Sequence, residues 1–266
     1  MIAAPLDVYV SLTTISSRID NVSSTLESIL NQTYSNFKLT LMLSREPYLL
    51  DRGISELPPA LVELAEADTR LSIGFVRNLG PYRKLLPMLT TGKRCIVVTA
   101  DDDTIYKPDW LAGLIEAYNR YRCVICYRGH LMSAPGGKFD RYRKWMNNKT
   151  PSVPDLRVLP TGKDGVLYDT VHFHENVLNW RDALRVAPTA DDMWFKWHTA
   201  AVGVPALALN SDYRTSSFET TIDSDSPSLY SSYNQAGGND AVVARLGDYG
   251  RSNLGVDLSA LVASQW

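Results

Sequence analysis

An α/β fold, with a mainly parallel sheet flanked by helices in the Rossmann manner, is what this sequence predicts on three observations. Short, β-branched apolar runs recur along the first half of the chain and end in hydroxyl or charged residues, as strands buried on both faces do. Segments with apolar residues at helical spacing separate these runs. Strand, helix and strand at these lengths make a βαβ unit, which requires a parallel pair joined by a right-handed crossover. A chain of 266 residues, 45% hydrophobic and 21% charged, is long enough to bury the core such a sheet needs.

Val8-Tyr9-Val10-Ser11-Leu12-Thr13-Thr14 reads as the first strand. Beyond Arg18, the residues Val22, Leu26, Ile29 and Leu30 recur at spacings of three and four, which predicts a helix over 22–30. Asn31-Gln32-Thr33-Tyr34-Ser35 is a turn, and residues 37–44 are the second strand, ending at Ser44. Pro58-Pro59 opens a helical stretch over 60–67, and 71–76 is the third strand. A turn at Asn78-Leu79-Gly80-Pro81 leads into a short helix. Residues 94–100 form the fourth strand and 110–121 the helix after it. Residues 1–120 thus read as a nucleotide-binding half of a domain that runs to 215.

The pattern loosens over 121–215. Residues 123–127 are a strand, and 133–154, polar and rich in Gly, Lys and Arg, reads as loop. A glycine-punctuated turn over 161–165 enters a short strand ending at Tyr168. In Val171-His172-Phe173-His174-Glu175 the histidines alternate, so as a strand this segment places both on one face. Asp191-Asp192-Met193-Trp194 puts two carboxylates at a helix start, where the dipole and free N–H groups favour ionisation. Residues 216–266 read as a mobile loop or lid rich in Ser, Thr, Asp and Asn, then a short helix over 241–246 and a tail.

The net charge of −2 provides no basic excess for a nucleic-acid partner. Cys95, Cys123 and Cys126 are too few for a disulfide framework, and the last two point to opposite faces of one strand, so they read as core residues. The first residues carry no basic segment and no long apolar core, and no stretch approaches the ~20 apolar residues that span a bilayer. A reducing, cytoplasmic setting is expected, with attachment at the inner membrane surface left open. The sequons at Asn21, Asn31 and Asn148 then read as chance matches.

The strongest chemical signal is Asp101-Asp102-Asp103, where the fourth strand ends. Three like charges leaving a buried strand repel one another unless a cation neutralises them. Ligands in open α/β sheets bind at the carboxyl ends of the strands. The triplet therefore points to a divalent-metal site that holds a phosphorylated substrate.

With strand order and triplet both in view, residues 7 to about 200 resemble a GT-A-fold glycosyltransferase, close to the family-2-like group that builds bacterial surface polysaccharide. Four features in order carry the resemblance: the opening Val10-Ser11-Leu12-Thr13-Thr14-Ile15-Ser16-Ser17-Arg18-Ile19 with its helix ending Ser28-Ile29-Leu30-Asn31-Gln32-Thr33, then Asn78-Leu79-Gly80-Pro81-Tyr82-Arg83-Lys84, then the triplet with Tyr106 and Pro108 as an Asp-x-Asp motif, and last Asp191-Asp192-Met193-Trp194.

The resemblance implies a mixed, mainly parallel sheet and metal-dependent transfer of a sugar, usually from a UDP-sugar, to an acceptor hydroxyl. It implies Mn²⁺ or Mg²⁺ on Asp103, with Asp101, because hard carboxylates suit ions that bridge a leaving diphosphate. Thr13, Thr14, Arg18, Ser44, Lys84, Asp101 and Asp102 would meet the nucleotide-sugar. Asp192 would be the base of an inverting displacement, with Asp191 as its alternate or partner. Tyr168, His172, His174 and Trp194 would line the acceptor pocket, the acceptor being a saccharide or lipid-linked saccharide of an O-antigen or capsule. A third metal ligand would come from His172, His174, His198, Asp240 or water. Other glycosyltransferase domains or the membrane surface are further partners it allows.

Two other classes compete. A sugar nucleotidyltransferase would carry a Gly-rich basic loop after the first strand, where this chain has Thr13-Thr14-Ile15-Ser16-Ser17-Arg18 without glycine. A non-catalytic sugar-binding module would keep the fold without turnover, against which the intact acidic pairs argue.

Overall fold

The chain was studied as a computed structural model that describes residues 6–215, 218–221, 227–235 and 237–264. Its β-branched runs form strands where the sequence leads one to look for them. They are β1 (Val8–Thr13), β2 (Lys38–Leu43), β3 (Leu71–Phe75) and β4 (Ile96–Thr99). Between them stand α1 (Val22–Leu30), α2 (Pro59–Ala67) and the short α3 (Leu86–Leu89). A two-residue strand, β5 (Thr104–Ile105), and α4 (Trp110–Tyr121) follow. The second half supplies β6 (Val124–Leu131), α5 (Tyr142–Trp145), β7 (Val158–Pro160) and β8 (Val166–Asp169). Then come α6 (Trp180–Val186), α7 (Asp191–Ala201), β9 (Ala206–Asn210), β10 (Glu219–Thr220), α8 (Gly238–Tyr249) and α9 (Leu258–Ala263).

The main sheet runs β3-β2-β1-β4-β8-β6-β7, with β9 parallel to β6 along its other edge. β1 to β4 are mutually parallel, and β8 runs antiparallel to both β4 and β6. This is the mixed, mainly parallel sheet that the motifs implied. The chain adds strands outward from β1 to β3 and then returns to place β4 on the other side of β1. That reversal opens a crevice at the carboxyl ends of β1 and β4, which is where such sheets bind ligands.

Alternation along β4 divides the core between the two faces of the sheet. Ile96 and Val98 pack with Val22, Leu26 and Ile29 of α1 and with Trp110, Leu111 and Leu114 of α4. Val97 packs instead with Trp194 and Trp197 of α7. Each buried aliphatic side chain contributes roughly 1.5–3 kcal/mol. The three cysteines are buried thiols, as expected.

One register change shapes the site. Ile125 stands opposite Leu167 and Gly129 opposite Pro160, so the strand returning along β6 carries three surplus residues over that interval. The surplus loops out as residues 161–165. Gly165 closes the loop at φ +99°, and a Cβ there would lie 2.5 Å from the Trp110 ring, so glycine is required.

Several expectations give way. Residues 133–154 are not all loop: Pro135–Gly137 is a 3₁₀ turn, and α5 buries Trp145 completely. Val171 to Glu175 is no strand. Residues 170–173 turn, and His174 caps the 3₁₀ helix Glu175–Leu178, its Nδ1 accepting from the Asn176 amide at 3.2 Å. Of the region after 215, the part beyond 237 packs on the core. α8 is twice the expected length, and Val242, Val243, Leu246, Tyr249, Leu258 and Val262 enter the same core as α7. Apolar residues at helical spacing made that docking possible, and its partners were too distant in sequence to be read. The expected lid over 215–239 falls partly on 216, 217, 222–226 and 236, which lie outside the described residues. No helix among the described residues is long and apolar enough to cross a membrane.

Candidate active site

The crevice at the ends of β1 and β4 encloses about 680 Å³. Its walls include Thr13, Thr14, Arg18, Lys84, the three aspartates, Asp191 and Asp192. Four elements carry them. β1 ends in Thr13, whose hydroxyl donates to the Met42 carbonyl at 2.6 Å. The turn over 16–21 aims Arg18 back across the crevice. The 3₁₀ helix Gly80–Lys84 buries Arg83 and presents Lys84. The first turn of α7 delivers both Asp191 and Asp192.

The acidic loop after β4 is fixed from α1. Thr25 and Ser28 share one face of α1, and Gln32 lies two residues past its end. The Thr25 hydroxyl donates to the Asp102 carbonyl at 3.1 Å, and Ser28 Oγ accepts from the Tyr106 amide at 3.1 Å. Gln32 donates to the Lys107 carbonyl at 2.8 Å and accepts from the Leu111 amide, inside the first turn of α4, at 2.9 Å. The Asp101 amide donates to the Tyr106 hydroxyl at 2.8 Å.

Two basic side chains meet the triplet. Arg18 reaches Asp102 at 3.0 Å and Asp103 at 3.2 Å, and the Thr14 hydroxyl donates to Asp102 at 2.5 Å. Lys84 lies 3.2 Å from Asp101 and 3.6 Å from Asp191, so one ammonium joins the strand-end carboxylates to those of the helix start. Burial alone would lower the Lys84 pKa, but Asp191 and Asp101 outweigh it and hold the group charged. The carboxylates are held less comfortably. Burial, then Asp101 and Asp102, pushes Asp103 up to about 6. Burial, then Asp191, pushes Asp192 up to about 7. The helix start was expected to keep Asp192 ionised, yet enclosure and a neighbouring like charge exceed what a helix terminus supplies.

Whether a divalent cation fits can be judged from the donor set. Asp101 and Asp103 are hard oxygen donors partly open to the crevice, and Asp101 and Asp102 add negative charge beside Asp103. Among the described residues no three His, Cys, Asp or Glu side chains group for a metal. The set therefore fits Mg²⁺ or Mn²⁺ shared between one or two carboxylates and substrate phosphates, and does not fit an all-protein cage. His172, His174, His198 and Asp240 do not line the crevice. His198 is buried with its Nδ1 2.8 Å from the Trp194 carbonyl, and Asp240 accepts from the Tyr142 amide at 2.7 Å.

Other expected residues also lie elsewhere. Ser44 is fully buried and accepts from the Glu46 amide at 3.1 Å. Tyr168 packs against Phe173 and Phe195, and Trp194 stacks on His198 and Tyr249 while its Nε1 donates to the Val177 carbonyl. Both are core residues, not walls of the acceptor pocket that the resemblance implied. His172 lies against Tyr118, and His174 faces His198.

Several residues of the crevice carried no such signal. Asp51, buried, is 2.9 Å from Arg83 and accepts from the Ser16 amide and from Asn78. Arg128, His130, Tyr142, Thr161, Gly162 and Lys163 also line the crevice, with Tyr142 and Gly162 acting on Asp192 and Lys163 on Asp103. Among these only the glycine turn was noticed, and as an entry to a strand.

No family model matches the chain in sequence, and no curated protein does. Solved structures do match. S. aureus TarS 1-349 in complex with UDP-GlcNAc is similar at TM-score 0.60 and 14% identity, over 98% of this chain and 71% of that one. The same protein in complex with UDP is similar at TM-score 0.51 and 14% identity, over 93% and 73%. A 4-diphosphocytidyl-2C-methyl-D-erythritol synthase overlaps at TM-score 0.48 and 13% identity, over 92% and 99%. At such identity the likeness is one of fold: the chain has the GT-A-type α/β fold.

Proposed function

We propose that this protein is a glycosyltransferase that moves a sugar from a nucleotide-sugar, UDP-linked by preference, to a hydroxyl of a saccharide acceptor. The observation that carries this reading is the Lys84 bridge, which sets a strand-end acidic triplet and a helix-start carboxylate pair in one crevice at the topological switch of the sheet. The fold likeness to TarS, crystallised with UDP-GlcNAc and with UDP, supports the donor class. The motif resemblance extends the acceptor to surface polysaccharide, free or lipid-linked.

Asp192 is the base. Its carboxylate takes the acceptor hydroxyl's proton as that oxygen attacks the anomeric carbon, and the bond to the diphosphate oxygen breaks with its electron pair leaving on the nucleotide. A base acting opposite the leaving group gives inversion. Lys84 holds fixed positive charge beside Asp191 and the triplet, where an anionic donor enters. Arg18, already between Asp102 and Asp103, offers a guanidinium to the donor's phosphates. Mn²⁺ or Mg²⁺, held by Asp103 with Asp101, would supply charge neutralisation on the leaving diphosphate.

Calorimetric titration with UDP tests the donor half of this reading. Binding is expected to strengthen when Mn²⁺ is added, and Asp103→Ala is expected to lose that gain. An absence of UDP binding in both conditions would remove the UDP assignment.

A further inference from the structure

The cations of the crevice are not all matched. Arg18 faces two carboxylates, Lys84 two and Arg83 one. Arg128 and Lys163 line the same crevice, and neither has an ion pair within 4.0 Å among the described residues. Asp164 acts on both electrostatically and Lys163 acts on Asp103 as well, but neither cation is in salt-bridge contact with them. The Arg128 guanidinium is held 4.1 Å over the Tyr213 ring, with its buried Nε unpartnered. Beside it His130, 2% exposed, is wedged edge-on against Tyr142 and Tyr213, and its Nδ1 also lacks a partner.

A buried polar atom without a partner is costly, and side by side two such atoms on a rigid strand mark a place prepared for a ligand. Both belong to β6, and the stacking rings fix their orientation. Burial, then Arg128, pushes the His130 pKa down to about 3, so the imidazole is neutral and can donate through one nitrogen. Arg128 supplies a charged fork suited to two oxygens of one group. The cluster lies on the base side of the crevice, since the Tyr142 phenol beside His130 is perturbed by burial and then by Asp192 and Arg128.

We infer that Arg128, His130 and Lys163 form an anion subsite, and that the acceptor carries a phosphate or carboxylate group close to the hydroxyl that is glycosylated. The inference rests on the glycosyltransferase reading and narrows its acceptor class. Lys163, exposed on the looped-out turn over 161–165, lines the same crevice. A neutral saccharide would leave Arg128 without an ion pair.

The test titrates protein saturated with UDP and Mn²⁺ with glucose, glucose 6-phosphate, glucuronate and inorganic phosphate. Glucose 6-phosphate or glucuronate should bind at least about tenfold more tightly than glucose, and whichever is tighter names the anion. Arg128→Gln should remove that advantage, and Lys163→Gln should reduce it severalfold. UDP binding by each variant serves as the control for folding. Three results would overturn the inference while leaving the enzyme reading intact: no preference over glucose, a preference unchanged in Arg128→Gln, or displacement of UDP by inorganic phosphate or glucose 6-phosphate. Failure of UDP to bind wild type is visible before any sugar is added, and it removes the UDP assignment together with the inference that rests on it.

Discussion

Asp192 is the residue on which the chemistry turns. Its pKa of about 7 exceeds that of an ordinary carboxyl because the site encloses it beside Asp191. As a base it works only when ionised, so transfer should rise with pH through about 7, and the pH–rate profile is the check. Asp192→Asn should lower the rate roughly 10²–10⁴-fold, with UDP affinity kept. Stability should move the other way. The folded state holds this proton more tightly than the unfolded chain, so the group's contribution falls as pH rises from about 4 to about 7. Asp192→Asn should therefore melt higher than wild type at pH 8, with the gap closing toward pH 4. Asp103→Asn should lose the part of transfer that chelation removes and Mn²⁺ restores. Asp101 to Asp103, Asp191 and Asp192 were legible because each sits at the end of a recognisable element, and Arg18 and Lys84 through the motifs that carry the resemblance. Asp51, Arg128 and His130 were not, because their meaning lies in partners distant along the chain, such as Arg83 for Asp51. Tyr168 and Trp194 were misread because the resemblance gave them a place near the acceptor, whereas burial sends both rings into the core.

At the scale of elements, α1 is a clamp as well as a crossover. Its apolar stripe packs on the sheet, while Thr25, Ser28 and Gln32 pin the acidic loop from the helix side. Gln32→Leu removes two loop contacts and leaves the stripe untouched. It should cost about 1–3 kcal/mol in chemical denaturation and raise the donor KM, whereas a merely structural loss would leave KM alone. Gly165→Ala should be similarly destabilising, by about 1–3 kcal/mol, since its φ and the Trp110 ring both refuse a side chain. The early βαβ elements were readable because each encodes its own period. The turn over 161–165 was readable as a turn, but the register surplus that swings it over the crevice depends on β6 and has no local signature. Residues 133–154 hid α5 for a related reason, because the helix is one turn long and its Trp145 finds its pocket only in the assembled fold.

For the whole molecule, both faces of the sheet are needed to hold the crevice. α7 presents the carboxylate pair at its start and lays Trp194 and Trp197 against α8 and its neighbours. A chain cut after residue 236 would expose that face. It should lose its near-ultraviolet circular dichroism and cooperative melting, although the sequence pattern alone had set a boundary near 215. The fold class was legible from strand order and the position of the triplet, while the integration of the C-terminal helices was not. The central claim joins the two acidic sets in one reaction, and one measurement reaches it most directly. Purified protein with Mn²⁺ is incubated with UDP-, GDP-, dTDP- and CDP-sugars, and separately with nucleoside triphosphates and sugar phosphates, while released nucleoside diphosphate and pyrophosphate are quantified. Release of nucleoside diphosphate from one nucleotide-sugar, abolished in Asp192→Asn, is the predicted result. Pyrophosphate release without any nucleoside diphosphate, or no release from any donor, would contradict it.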